Sequence, residues 1–551
     1  MRIDRFVEKR DLLYRSIRGA LISGPKPLEI IAAESPSYRW PWRFRTDRLA
    51  VSCVFLLIAY TTVKNIVAAA SRPFWYDELL TVAVARQPNL SALWTALVRA
   101  QDSSPLLYVL VEHLSGLFVP NPQIAYRLPS VVGFGLVVGC LFVFIRKRAG
   151  SICAFLCTLI PLLTPLYGRY ASEARSYSLL VACISLALIC YQRAPKQFWI
   201  VLLGLALFCA EAFHYYAFFS FPAFFLAELA WTANAKTIRW RIWLALTAGF
   251  LPLVASWPLW AGFKKYYGAN VWGKPTFTVV VHAYDGLFGT SVLRVLPELG
   301  FVVAAALSVI AIWTAPIRES PNDKPSAIGT SYEPLIAVGL LCVPFVAFAA
   351  TSIGHGVFTG RYLLPMILGV SIAASYALRP LLNHRLLLLA LVPFLLLGIS
   401  RKEFVFWTSV HRNFASFSSP ANSIEPLLAS AGQLNLPVVV SDGQGYVVLS
   451  YYASKSLAKR LVVMVDPPNA ILYAGNDAVD RGILALTCCL ELNVYQFRDF
   501  TLQHPSFLLY SGRSNFDWWP ARLRHDGYML ETVASDESGE IYRVSRPFDF
   551  H

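Results

Sequence analysis

Asp77 and Glu78 stand side by side in Arg72-Pro-Phe-Trp-Tyr-Asp-Glu-Leu79, just past the first hydrophobic stretch of the chain. Unpaired charge is costly where lipid begins, so two adjacent carboxylates at such a boundary require a chemical reason. A carboxylate within reach of a hydroxyl proton is a general base. More polar residues recur at the same kind of position along the chain. Asp102 lies in Gln101-Asp-Ser-Ser-Pro105, and Glu173, Arg175 and Tyr177 lie in Tyr167-Gly-Arg-Tyr-Ala-Ser-Glu-Ala-Arg-Ser-Tyr177. Glu211, His214, Tyr215 and Tyr216 follow, then Lys264 and Lys265, His282 and Asp285, His355, and Arg361 with Tyr362. Arginine forks grip two phosphate oxygens at once. Nearby cations stabilise charge that develops on a departing phosphate. Carboxylates set beside Arg, Lys and His thus suit a hydroxyl attack that expels a phosphate.

Each of these residues also has a purely structural reading. Asp77 and Glu78 would complement the dipole at the start of a helix. Arg175 and Arg361 would snorkel to the interface. His214 and its tyrosines would form part of an aromatic belt. Lys264 and Lys265 would solvate a loop, and Asp102 would open a turn before Ser-Ser-Pro.

The elements that position these residues are mostly hydrophobic. The chain has 551 residues, 56% of them hydrophobic and 15% charged, and a mean hydropathy of +0.51. A soluble protein carries about 25% charged residues, so this is an integral membrane protein. The net charge of +15 does not point to nucleic acid, because the basic residues cluster at the ends of apolar stretches. Spans of roughly 20 apolar residues are predicted near 49–70, 129–145, 150–168, 176–191, 198–213, 215–232, 242–261, 293–314, 334–352, 362–378 and 384–400. With a basic, uncleaved arm at 1–48 held in the cytoplasm, the inner loops are Arg146 to Arg148, Arg193 to Lys196, Lys236 to Arg241, Arg318 to Lys324 and Arg379 to Arg385. All are basic, as orientation by Lys and Arg requires. Every chemically suggestive residue then falls outside, including those in the long outer loop 71–128. Ser104 to Phe118 in that loop is apolar but short, and reads as an amphipathic helix on the outer surface.

From residue 403 the composition changes. Pro437 to Ser441, Leu461 to Val465 and Phe507 to Tyr510 read as buried strands, and Tyr528 to Val533 and Ile541 to Val544 as two more. With helical stretches between them they imply a small α/β domain at 403–551. Asp442-Gly-Gln-Gly445 reads as a turn, since the dinucleotide fingerprint is incomplete. The fold class is therefore an α-helical polytopic membrane protein of about 11 transmembrane helices with a C-terminal soluble α/β domain. An odd span count places that domain outside.

Trp75-Tyr-Asp-Glu78, Asp102-Ser-Ser-Pro-Leu-Leu-Tyr108, Tyr126-Arg-Leu-Pro-Ser130, Glu173-Ala-Arg-Ser-Tyr-Ser-Leu179 and Arg361-Tyr-Leu-Leu-Pro365 together resemble membrane glycosyltransferases of the GT-C class. The resemblance is to the protein O-mannosyltransferase and aminoarabinose-transferase superfamily, in particular its bacterial envelope-glycan members, and covers roughly 49–400, a transmembrane catalytic domain of about 49–402. It implies a bacterial inner-membrane location, a polyprenyl-phosphate-linked sugar donor, a periplasmic glycan, lipid or protein acceptor, and inversion at the anomeric carbon. It makes Asp77 the base, with Glu78 and Asp102 orienting the acceptor or a cation. Arg175 and Arg361 match positions near the donor phosphate; Lys264 and Lys265 join them, and Glu173, Tyr177, His214, Tyr215, His355 and Tyr362 line the substrate pocket. No cofactor is assigned; a divalent cation is a candidate without a ligand set. Membrane lipids are partners and nucleic acid is not. The alternatives are a lipid-linked-glycan transporter or flippase, and a non-catalytic glycan-binding membrane protein. The family's double proline after the second acidic position is Ser104-Pro105 here. A reporter active only in the periplasm, fused after His551, is expected to be active; activity of a cytoplasm-only reporter there would overturn the sidedness.

Overall fold

In the polar-free interior of a membrane every backbone N–H and C=O must find its partner within the segment, so apolar runs fold as helices. The computed structural model follows this rule. It describes residues 42–267, 272–288, 332–354, 356–382, 385–415, 420–432, 435–487, 489–512, 514 and 516–546. The chain divides into Met1–Arg48 and Leu49–His551. Most of the basic arm, the predicted span 293–314 and the basic loop Arg318 to Lys324 lie outside the described residues.

Among the described residues three helices are long and apolar enough to cross a membrane alone, Asp47–Ala70, Pro122–Ala149 and Tyr215–Ala235. Two bent pairs and five shorter apolar helices add to them. Phe55, Leu56, Leu136, Phe198, Leu205 and Leu244 are exposed on these helices. Such apolar surface is stable only against lipid. Proline explains where the predicted spans break, because it lacks the N–H, clashes with the preceding turn and restricts the residue before it. The stretch 150–168 divides at Thr164 into Ser151–Leu163 and Pro165–Tyr170. The stretch 242–261 becomes Trp240–Ala248, Leu251–Ala255 and Trp257–Tyr267, with a 46° bend. The stretch 334–352 bends by 52° between Glu333–Leu341 and Val343–Gly354, next to Pro344.

The basic ends of the helices are tied together. Arg148 pairs with Glu333 at 2.8 Å, Gln192 donates to Glu333 at 2.9 Å and Lys147 donates to the Gln192 carbonyl at 3.0 Å. Arg239 pairs with buried Glu228, which also accepts from Tyr191. The Leu128–Ala149 helix has 22 residues, about 33 Å at 1.5 Å per residue. That length separates these basic ends from Arg127, at the helix's other end.

At that other end the loop 71–128 folds into the helices Tyr76–Ala85, Leu90–Val98 and Leu106–Phe118. The last of these buries Tyr108, Val109 and Glu112 and exposes Leu114, Leu117 and Phe118. With 13 residues it is too short to cross a 30 Å hydrocarbon core. The composition change at 403 falls inside one continuous helix, Arg385–Ala415. Its polar residues bind the first span: Glu403 pairs with Lys64 and accepts from Tyr60 at 2.5 Å, and Trp407 donates to Tyr60 at 3.2 Å.

The C-terminal region forms a six-stranded sheet, with β1 Val438–Val440, β2 Leu461–Val465, β3 Val494–Gln496, β4 Ser506–Ser511, β5 Met529–Asp536 and β6 Gly539–Ser545. The order is β3-β2-β1-β4-β6-β5. The first four in that order run parallel, and the β5–β6 hairpin is antiparallel. All five expected strands are present; β3 is added. Asp442 caps the Gly443–Tyr452 helix by accepting from Gln444 N at 2.9 Å. Gly443 packs closely on the Ala478–Leu486 helix, where a Cβ would lie 2.5 Å from the Ile483 side chain. This domain and the first loop share one core. Phe74, Leu79, Val82 and Leu93 pack in the same cluster as Ile424, Val438, Tyr446, Leu461 and Ile541.

Asp480, on the Ala478–Leu486 helix, accepts from Asp466 N at 2.7 Å. Burial pushes its carboxyl up to about 7, with Asp466 and Asp477 adding in the same direction. A carboxyl raised in the folded state contributes stability that is complete below its unfolded value and lost as pH rises through the folded one. Asp480→Asn keeps the acceptor but cannot ionise. Its melting temperature relative to the native chain is expected to rise between about pH 4 and 7 and to stay level above. A gap constant with pH would show that Asp480 does not titrate there.

Candidate active site

Asp77 and Glu78 occupy the first turn of Tyr76–Ala85, about 100° apart around the helix at 3.6 residues per turn, so they face different partners. Glu78 faces inward and is fully buried. Arg127 Nε donates to its Oε1 at 2.7 Å and Nη2 to its Oε2 at 2.6 Å. Ala174 N and Trp75 N donate to the same carboxylate at 2.7 and 3.2 Å. Arg127 spends its remaining donors on the carbonyls of Ala69, Arg72 and Pro73, at 2.6, 2.8 and 2.9 Å. One ion pair thus joins the end of the first span, the loop helix, the next span and the turn that holds Arg175.

Asp77 faces another side of the helix, partly open, with Arg361 Nη1 2.5 Å from its Oδ2. Arg361 rises from the short Gly360–Leu363 turn, and its buried Nε has no hydrogen-bond partner. Arg175 Nη1 donates to the Asp77 carbonyl at 3.2 Å and to Thr81 Oγ1 at 3.1 Å, and lies 3.6 Å from Asp102 Oδ1. Thr81 in turn donates to Asp102 Oδ2 at 2.9 Å. Asp102 also accepts from Ser104 N at 3.3 Å, so its turn-opening reading holds as well. The structure therefore brings Asp77, Asp102, Arg175 and Arg361 together.

Aromatic rings border the two arginines. Tyr177 lies 5.2 Å from His214 and 4.7 Å from Tyr170, and Tyr362 lies 5.1 Å from His214 and 4.5 Å from Tyr216. The Tyr177 hydroxyl is buried without a partner. Burial, and then Arg175 and Arg361, push His214 down to about 3, so its ring is neutral. Glu173 pairs with Arg169 at 2.7 Å; burial, and then Glu78, raise its carboxyl. Tyr215 turns to Trp260, 5.1 Å away. Lys264 and Lys265 lie in the last turn of Trp257–Tyr267, both exposed. His355 lies outside the described residues.

Thr81 and Arg127 carry no role in the sequence reading. Thr81 is four residues after Asp77, on the same helix face. Arg127 stands inside the Tyr126-to-Ser130 motif. Among the described residues no group of three or more His, Cys, Asp and Glu is placed to hold a metal ion. Asp77 and Asp102 are turned instead to protein cations and donors.

No family model matches the chain, and no curated protein matches it in sequence. Among solved structures it is similar to ArnT from Cupriavidus metallidurans bound to undecaprenyl phosphate, with 15% identity, a TM-score of 0.52, and coverage of 89% of this chain and 98% of that one. The apo state of the same protein gives 13% identity, a TM-score of 0.43, and coverage of 90% and 98%. The chain has the fold of ArnT. The likeness is one of fold. The likeness takes in more of the chain than 49–400, the stretch that holds those motifs.

Arg127→Met leaves Glu78 buried without its cation, which typically costs about 3–5 kcal/mol. A strongly lowered melting temperature is expected, and a smaller loss when Glu78→Leu accompanies it. A melting temperature within a degree or so of the native one would remove the pair as an anchor.

Proposed function

We propose that the chain is an inverting membrane glycosyltransferase that moves a sugar from a polyprenyl-phosphate donor to an acceptor hydroxyl on the periplasmic face. The observation that carries this reading is the Asp77–Arg361 pair, at 2.5 Å and partly open, with an unpartnered guanidinium Nε and aromatic rings beside it. The ArnT fold supports it. ArnT's crystallisation with undecaprenyl phosphate supports the choice of donor class. In this reading about 11 spans put the N-terminus inside and the C-terminal domain outside.

The acceptor oxygen attacks the anomeric carbon as the sugar–phosphate bond breaks. The phosphate leaves with the bonding electrons, and the acceptor proton passes to Asp77. Attack from the face opposite the leaving group inverts the centre. Arg361 presents its free Nε to the phosphate and stabilises the charge that develops there. Arg175 holds the Asp77 backbone and adds a second positive charge, and Asp102 and Thr81 fix Arg175 in turn. Glu78, spent on Arg127, anchors the loop rather than touching the acceptor. Tyr177, Tyr362 and neutral His214 offer flat faces to a sugar ring. Lys264 and Lys265, exposed at the rim, attract an approaching phosphate as point charges.

The pair also sets an order of events. While Arg361 binds Asp77, the base is neutralised by its own partner. A donor phosphate competes for the guanidinium, draws it away and leaves the carboxylate ready for the acceptor. Asp77→Asn removes both the proton acceptor and the competing charge. Sugar transfer is expected to fall by about 10²–10⁴-fold, while undecaprenyl phosphate binds at least as tightly as to the native chain. Arg361→Lys is expected to weaken that binding, because an ammonium lacks the fork. Near-normal transfer by a folded Asp77→Asn protein would eliminate Asp77 as base and shift the role to Asp102 or Glu173.

A further inference from the structure

Two of the contacts that the C-terminal domain makes with the first loop lie next to an acid of the site. Gly482, in the Ala478–Leu486 helix, faces Tyr76, the residue before Asp77. A Cβ at Gly482 would lie 2.6 Å from the Tyr76 hydroxyl oxygen and 3.5 Å from that of Tyr267. Tyr76 is nearly fully buried and belongs to the shared core. Its ring is closely packed there, so the surrounding core resists displacement of the hydroxyl and passes part of it to the backbone that carries Asp77.

The second contact reaches the turn before Asp102. Ala100 has φ of 58°, a left-handed conformation that costs a residue with a side chain free energy and persists only where the surroundings enforce it. Here Ala100 is enclosed with Tyr267 and Ala478, against Phe263 and Tyr266. Tyr267 donates to the Ala100 carbonyl at 3.4 Å. Tyr266 is bound to the same C-terminal helix, donating to the Arg481 carbonyl at 2.9 Å and accepting from Arg481 Nη1 at 2.8 Å. Next along the chain, Gln101 accepts from Cys489 Sγ at 2.6 Å. The Ala478–Leu486 helix and the segment after it therefore hold Tyr76 beside Asp77, and Ala100 and Gln101 beside Asp102.

We propose that the Ala478–Leu486 helix is a positioning element of the transfer site. Gly482 sets Asp77 through Tyr76, and Ala478 with Tyr267 sets Asp102, and through it Arg175. This assignment rests on the glycosyl-transfer reading for its kinetic consequence, but its structural content does not. Glycine at 482 is required for contact rather than for backbone freedom, since the position lies within a helix. Proximity catalysis makes the effect large for a small movement, because a misplacement of about 1 Å can cost about 10²-fold in rate.

The test uses the full chain in detergent or nanodiscs and reads exchange and kinetics separately. Gly482→Ala is expected to speed amide hydrogen exchange at residues 77–81 and 101–104. It is also expected to lower transfer at saturating donor by about 10–10²-fold, with undecaprenyl-phosphate affinity within about twofold of native. The double variant Gly482→Ala with Tyr76→Phe removes the clashing oxygen and is expected to regain most of the rate. A domain that merely stabilises the chain would show donor affinity and rate falling together. Tyr267→Phe adds no bulk and keeps the proposal testable if Gly482→Ala fails to fold; it is expected to speed exchange at 100–104 and lower the same rate. Unchanged exchange at both acidic segments in these variants would overturn the proposal. Altered exchange without sugar transfer by any form, native included, would instead overturn the transferase reading and leave the positioning contact standing.

Discussion

The buried pair between Glu78 and Arg127 is the interaction on which the candidate site depends. Taking two charges out of water is expensive, and the cost is offset only when every donor and acceptor is matched. The pair meets that condition by recruiting two backbone amides and three carbonyls from residues 69–75 and from Ala174. Loss of one partner strands the other in the core. The same geometry commits Glu78 to its cation and leaves Asp77, one residue earlier, to face the open side. Two neighbouring carboxylates of like chemistry therefore acquire different surroundings from helix geometry alone.

Around that anchor the site is built by successive support. Arg175 reaches the helix backbone and Thr81, Thr81 reaches Asp102, and Asp102 accepts from the turn that follows it. Arg361 keeps an unspent donor at Asp77. The tyrosines and neutral His214 surround this charge without adding to it. Arg361 rises from a short turn, whereas Asp77 is held in the first turn of a helix.

Much of this was legible in the residue order. Hydrocarbon thickness dictates span length, so among the described residues the apolar runs appear as helices close to where they were expected. The buried strands show as runs such as Leu-Val-Val-Met-Val465. What escaped has identifiable causes. β3 is three residues long and half-exposed at a sheet edge, so it carries no apolar run. The helix breaks fall at prolines inside sequences that remain apolar throughout. Asp77 and Arg361 both stood out by type and position, but 284 residues separate them, and no local pattern reports their contact. Arg127 was hidden because a buried arginine and a surface one read alike in sequence. The contacts of Gly482 and Ala100 depend on how the C-terminal domain packs onto the first loop, which no periodicity encodes.

The core shared by the first loop and the C-terminal sheet bears on how the protein is made. Phe74, Leu79 and Val82 leave the ribosome early, whereas Val438, Leu461 and Ile541, which cover them, are synthesised last. At 5–20 residues per second the interval is on the order of half a minute to a minute and a half. During that time the apolar side of the first loop is unmatched. A chain that stops short of the sheet never closes this core, so a truncated product is left with an unfinished loop rather than a smaller working one. Completion of synthesis itself becomes the step that closes this core.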